Sequence, residues 1–148
     1  MQTGRRLAFD FGDVRTGVAT SDVSGILATP HSTLLTQDPN FLNAIAELIS
    51  EISPIYIAIG KPKHLSGNSS AKEGVIELFI EQLKTLTQIP IYLIDERMTT
   101  VSANRILKDS GKNSKESRKV VDEMAATGIL ESAMNAERLQ GLPSKDRR

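Results

Sequence analysis

The stretch Arg5-Arg6-Leu7-Ala8-Phe9-Asp10-Phe11-Gly12-Asp13-Val14-Arg15-Thr16-Gly17-Val18-Ala19-Thr20-Ser21 decides how the rest of the chain is read. Arg5–Phe11 is short, apolar and rich in Leu and Phe, as a buried strand is. Gly12-Asp13-Val14 breaks it as a turn, and Arg15–Ser21 follows as a second strand. Ile26–Leu35 holds β-branched residues and a Pro30 that suits an edge strand or a bulge. Such close spacing favours an antiparallel meander. Asp10 stands out within it. A carboxylate between Phe9 and Phe11 costs free energy unless a cation or hydrogen-bond donors compensate it. Turn amides at a strand end would serve as well as a cation, so Asp10 alone does not decide between them.

Downstream the hydrophobic period changes. Asp38-Pro39 has the form of an N-cap followed by Pro at the first helical position. Phe41, Ile45, Leu48, Ile49 and Ile52 then repeat at helical spacing. Ile55–Ile59 reads as a strand buried on both faces, and Gly60 to Ser69 as a polar loop. Ser70-Ala71-Lys72-Glu73 has the form of a capping box, ahead of a stripe of Val75, Ile76, Phe79, Leu83 and Leu86. Pro90–Ile94 is a further short strand. A helix is expected from Thr99 or Thr100 to about Ser110, with Gly111 at its C-terminal cap. A last helix is expected after Ser114, burying Val121, Met124, Ala125, Gly128, Ile129 and Ala133. The order β-β-β-α-β-α-β-α-α predicts an α/β domain over residues 1–140: a mixed five-stranded sheet with helices on both faces. That order fits a ribonuclease-H-like fold among other α/β sandwiches. Residues 141–148 are expected to form a frayed tail.

Composition removes several function classes. The chain of 148 residues carries 18 basic and 18 acidic side chains, so its formal charge is zero. A uniformly basic nucleic-acid coat is excluded, but a local basic patch is not. With no cysteine there is neither a disulfide nor a thiolate site, and the two histidines are too few for an imidazole-based metal centre. No apolar stretch approaches the roughly 20 residues of a membrane span, and the N-terminus lacks the form of a signal peptide. A cytoplasmic location is expected.

Chemistry is therefore left to oxygen donors and to basic side chains. Asp10 and the pair Asp95-Glu96 end predicted strands, where ligands collect in open α/β sheets. Strand alternation sends Asp95 and Glu96 to opposite faces, so they have different tasks. Asp122 lies early in the last helix beside its apolar stripe, where it could also simply complement the helix dipole. Convergent carboxylates without Cys or His suit hard cations such as Mg²⁺ or Mn²⁺. A pair of such ions activates water and stabilises the leaving oxygen of a phosphodiester.

The residues also resemble a known family. Asp10-Phe11-Gly12-Asp13-Val14-Arg15-Thr16-Gly17-Val18-Ala19-Thr20-Ser21-Asp22 resembles the first motif of the YqgF family. Its members are described as bacterial Holliday junction resolvases and as nucleases of the 16S ribosomal RNA precursor. Gly60-Lys61-Pro62 with Gly67 resembles the second motif, and Asp95-Glu96-Arg97-Met98-Thr99-Thr100 with Ala103 and Leu107 the third. Lys119-Val120-Val121-Asp122-Glu123-Met124-Ala125-Ala126, leading to Ile129-Leu130, resembles the fourth. Lys61 stands where the family usually has Leu, and Met98 where it often has Leu. The resemblance implies a ribonuclease-H-like fold, metal-dependent phosphodiester hydrolysis and catalytic, metal-binding roles for Asp10, Glu96 and Asp122. Asp10 is the expected shared ligand.

Basic residues near these motifs are candidate phosphate contacts: Arg15, Lys61, Arg97, Lys112, Lys115 and Arg118. Arg105–Lys119 holds six basic residues against two acidic ones, and such a run between two motifs can track a nucleic-acid backbone. Gly12 and Gly17 are expected to flank the first hairpin. Aromatic content of 4%, with no Trp, disfavours recognition by base stacking. The expected substrate is pre-16S ribosomal RNA, alone or in a ribosomal precursor particle. The alternatives are branched DNA, as for a Holliday junction resolvase, and a non-catalytic nucleic-acid-binding assembly factor. Asp10-Phe11-Gly12 with Gly17 also resembles the phosphate loop of actin-like ATPases and sugar kinases, but those enclose ATP between two lobes and this chain has length for one. Either a monomer or a homodimer is compatible with these readings.

Overall fold

A computed structural model describes residues 2–61, 69–95 and 115–141, with backbone alone at 69–73 and 115–119. Five strands form one sheet: β1 (Arg6–Phe11), β2 (Arg15–Ser21), β3 (Ala28–Leu35), β4 (Tyr56–Lys61) and β5 (Ile91–Asp95). Their order is β3-β2-β1-β4-β5. The first three strands are the antiparallel meander, while β4 and β5 join β1 in parallel. Three helices are described: α1 (Phe41–Ile52), α2 (Ser69–Leu86) and α3 (Lys115–Gln140). The helix expected between Thr99 and Ser110 lies outside the described residues.

Strand alternation divides the core in two. Leu7, Phe9, Val18, Ile57, Ile59 and Ile91 pack under α1 and α2 with Ile45, Phe79, Ile80 and Leu83. Ala8, Ala19, Ala58, Tyr56 and Tyr92 face α3, with Ala126, Ile129, Leu130 and Met134. The small residues of the second layer let α3 lie close to the sheet. Both faces of β1 and β4 are thus covered, which explains their continuous apolar runs.

Several helix boundaries differ from expectation. Asp38 does not cap α1. Its carboxylate accepts the Asn40 amide at 2.8 Å in a turn before the helix, which begins at Phe41. Ser70 lies inside α2, which starts at Ser69. Val75 and Leu86 are exposed, and Ile80 takes a buried place on that helix. In α3 Val121 is exposed and the buried stripe is carried by Ala126, Ile129, Leu130, Ala133 and Met134. Alternative helical faces were separated by one position, and the polar surroundings did not decide between them. Pro30 does sit on the edge strand, beside a register shift at Val18/Ala19.

At the far end of α3, Arg6 and Glu137 form an ion pair at 2.7 Å with both side chains buried. Arg6 also donates to the carbonyls of Gly4 and Gln2, and the Tyr56 hydroxyl donates to Glu137 Oε1 at 3.1 Å. Burial works against the Arg6 charge, but Glu137 outweighs it and the guanidinium pKa is raised. This network ties α3 to β1 and β4.

Candidate active site

Asp10 owes its direction to its neighbours. Phe9 and Phe11 point to the α1–α2 layer, where both meet Phe79: an edge contact with centroids 5.9 Å apart and a stacked one at 4.4 Å. Phe41 joins from α1, 6.2 Å from Phe11. With Phe9 and Phe11 held there, alternation puts Asp10 on the opposite face with Ala8, toward α3. It is half-buried. Asp95 has the parity of Ile91 and Leu93, which pack in the α1–α2 layer.

Asp122 arrives on that same face from α3. Asp10 pairs with Gly17 on β2, and Gly17 pairs with Thr33 on β3, so the three form one row across the sheet. A Cβ on Gly17 would overlap the Asp122 backbone carbonyl. The missing side chain is thus what lets the second turn of α3 rest on the strand beside Asp10. Gly17 is not a turn residue, as the hairpin reading supposed. It sits within β2 and its φ is ordinary. Gly12 does belong to the turn, where a Cβ would overlap the Arg15 carbonyl oxygen.

Arg15 bridges the two elements. Its Nε donates to Asp122 Oδ2 at 2.7 Å, with side chains 28% and 19% exposed. Two further threonines bond to Glu123 of α3, Thr33 from the sheet and Thr127 from within the helix, and the sequence did not single them out. Thr33 Oγ1 donates to Glu123 Oε2 at 3.1 Å, and Thr127 Oγ1 donates to the Glu123 carbonyl at 2.7 Å. Thr36 is another: its amide donates to the Val14 carbonyl at 2.9 Å, and its hydroxyl to the Gly12 carbonyl at 2.7 Å. It also meets the Thr16 hydroxyl at 2.8 Å. Thr36 thereby fixes the turn that carries Arg15. A threonine in a polar run gives no such signal without the strand register.

The remaining candidates divide by position. Lys61 ends β4, exposed, opposite Asp95 on β5. Lys115 and Arg118 belong to the first turns of α3, by backbone only. Glu96, Arg97 and Lys112 lie outside the described residues. Among the described residues no group of three or more His, Cys, Asp or Glu side chains is gathered as a metal site. Of the three expected carboxylates, Asp10 lies in this row on the face toward α3, and Asp122 comes to the same face through the approach of its backbone to Gly17.

The fold and the chain both have relatives. The architecture matches Thermus thermophilus RuvC in complex with a Holliday junction substrate, with a TM-score of 0.63 at 14% identity, over 93% of this chain and 97% of that one. That likeness is one of fold, and it makes the α/β sheet ribonuclease-H-like. By sequence the chain is 42% identical to a Streptomyces coelicolor protein named "Putative pre-16S rRNA nuclease", over 97% of this chain and 87% of the relative. A Leifsonia xyli protein of the same name is 43% identical over 97% of this chain and 93% of the relative. The model of the family described as RuvX, Holliday junction resolvase, matches residues 4–136, from β1 into the last turns of α3, and so includes both Asp10 and Asp122. With model and relatives in agreement across the site, the chain belongs to the RuvX family.

Proposed function

We propose that this protein is a divalent-metal-dependent nuclease that hydrolyses phosphodiester bonds in pre-16S ribosomal RNA, with Asp10, Glu96 and Asp122 as its metal ligands. The observation that carries the reading is the approach of Asp122 to the Asp10–Gly17 row, made possible by the glycine. The residues fit a hard cation. The donors are carboxylate oxygens, and Asp122 already attracts a cationic group, the Arg15 guanidinium. A bound Mg²⁺ or Mn²⁺ would supply an activated water and charge stabilisation at the leaving oxygen. Asp10 projects from a strand pinned by its Phe neighbours, and Asp122 from a helix seated on Gly17. Both carboxylates are thereby held in place before substrate arrives. Lys61, Arg97, Lys112, Lys115 and Arg118 are assigned to the substrate's phosphates, and Arg15 shares that task. The relatives' name supports the ribosomal precursor as substrate, acted on in the cytoplasm, free or within a precursor particle. No helix of the described residues is long and apolar enough to cross a membrane.

A second reading, resolution of branched DNA, is favoured by the family's description. One panel separates the two. The protein is incubated with Mg²⁺ or Mn²⁺ and a 16S precursor fragment, a four-way DNA junction or single-stranded controls, beside Asp10→Asn. Cleavage of the precursor alone, lost in the variant, is the expected result. Cleavage of the junction alone transfers the assignment to DNA. Binding without cleavage under either metal makes the protein an assembly factor.

A further inference from the structure

Arg15 and Arg6 are both paired with an acid of α3, yet the two pairs are built differently. Arg6 is fully buried and donates to both oxygens of Glu137 and to two backbone carbonyls. Arg15 contacts Asp122 through Nε, and its side chain is 28% exposed. Among the described residues its two terminal nitrogens have no other partner. The backbones at both ends are fixed. Thr36 holds the turn before Arg15, and the Asp122 backbone rests against Gly17, where a Cβ would not fit. The Arg15 side chain itself is partly exposed and is held at Nε.

We propose that Arg15 is a displaceable counter-ion: it occupies Asp122 while the site lacks its metal, gives up Oδ2 to the divalent cation, and turns to a phosphate of the nucleic acid. This rests on the reading of Asp122 as a metal ligand. A divalent ion is attracted to the carboxylate about twice as strongly as a guanidinium at equal distance, and it repels the guanidinium beside it. The displaced group keeps its charge at any working pH, and its planar fork matches two phosphate oxygens. The exchange would spare the empty site an unbalanced carboxylate and would deliver a positive charge to the substrate when the metal is in place.

Calorimetric titration of Mn²⁺ into the full chain tests this, comparing wild type with Arg15→Gln, Arg15→Lys and Asp122→Asn. Removal of a competing charge should make Arg15→Gln bind Mn²⁺ about three- to tenfold tighter, with Arg15→Lys near wild type. A merely structural Arg15 would leave affinity unchanged or lower it, and either result overturns the proposal. Asp122→Asn separates the two levels. If it leaves Mn²⁺ binding unchanged, the ligand assignment fails and the proposal with it. If it weakens binding while Arg15→Gln does not strengthen it, only the exchange fails. A measurement on the unaltered chain guards against a variant that misfolds. The Arg15 Nε–H NMR signal, protected without metal, should lose its protection on saturation with Mg²⁺, and its persistence would overturn the proposal.

Discussion

Gly17 is the residue that permits the close approach of α3 to β2. The Cβ of an alanine there would overlap a backbone carbonyl of α3, and backbone cannot step aside as a side chain would. Gly17→Ala is therefore expected to destabilise the fold by about 1–3 kcal/mol, in the range of overpacked cores. It should also lower activity, because the helix carrying Asp122 must lift from the strand carrying Asp10's partner. Denaturant melts and cleavage rates on the same preparation check both. Asp10 stands out in the sequence because a carboxylate between two phenylalanines is costly, and the structure puts it on the face opposite them. Gly17 was visible but misassigned to the hairpin, because its role depends on a helix more than 100 residues later. Thr33, Thr36 and Glu123 were not legible, since their partners are set by register and by the seat of α3.

The elements show where periodicity is informative and where it is not. Strands β1 and β2 were read almost to the residue, because each is short and bounded by turn residues. Helix α1 was read by its stripe but entered two residues late, because Asp38 serves a preceding turn. In α3 the buried stripe passes through Glu137, an acid on an apolar face that no sequence pattern explains without Arg6. That pair joins one end of α3 to β1, as Gly17 joins the other end to β2. Glu137→Ala would leave the buried Arg6 without its counter-charge, and a loss of about 3–5 kcal/mol is expected. Urea denaturation should show it as a lower midpoint with an unchanged slope. Tyr56→Phe removes one hydrogen bond to Glu137 and should cost about 0.5–1.5 kcal/mol.

On the scale of the whole molecule, the zero net charge conceals a division. Asp10, Asp122 and its partner Arg15 lie on the α3 side of the sheet, while in sequence the basic run of Arg105–Lys119 leads into α3. Stability should respond to pH at both extremes. Burial raises the Tyr56 pKa, with Glu137 adding to the shift, and burial raises that of Tyr92 as well. A hydroxyl that ionises later in the folded state favours folding fully below the ordinary tyrosine pKa of about 10. Stability should therefore fall as pH rises beyond that value, less steeply in Tyr56→Phe. At the acid end, the Leu27 and Ile26 amides hold Asp22 below the usual carboxylate range. Its contribution is present above the ordinary value of about 4 and is lost as pH falls through the lower folded one. Asp22→Asn should flatten that part of the acid unfolding profile.

The central claim is that Asp10 and Asp122, brought to one face by Gly17, act together in metal-dependent phosphodiester cleavage. Its most direct test is the rate of Mn²⁺-dependent cleavage of a labelled pre-16S fragment by wild type, Asp10→Asn and Asp122→Asn, each with its melting temperature. Loss of cleavage in both variants with melting temperatures near wild type is the predicted result. Cleavage at the wild-type rate by either folded variant would contradict the account.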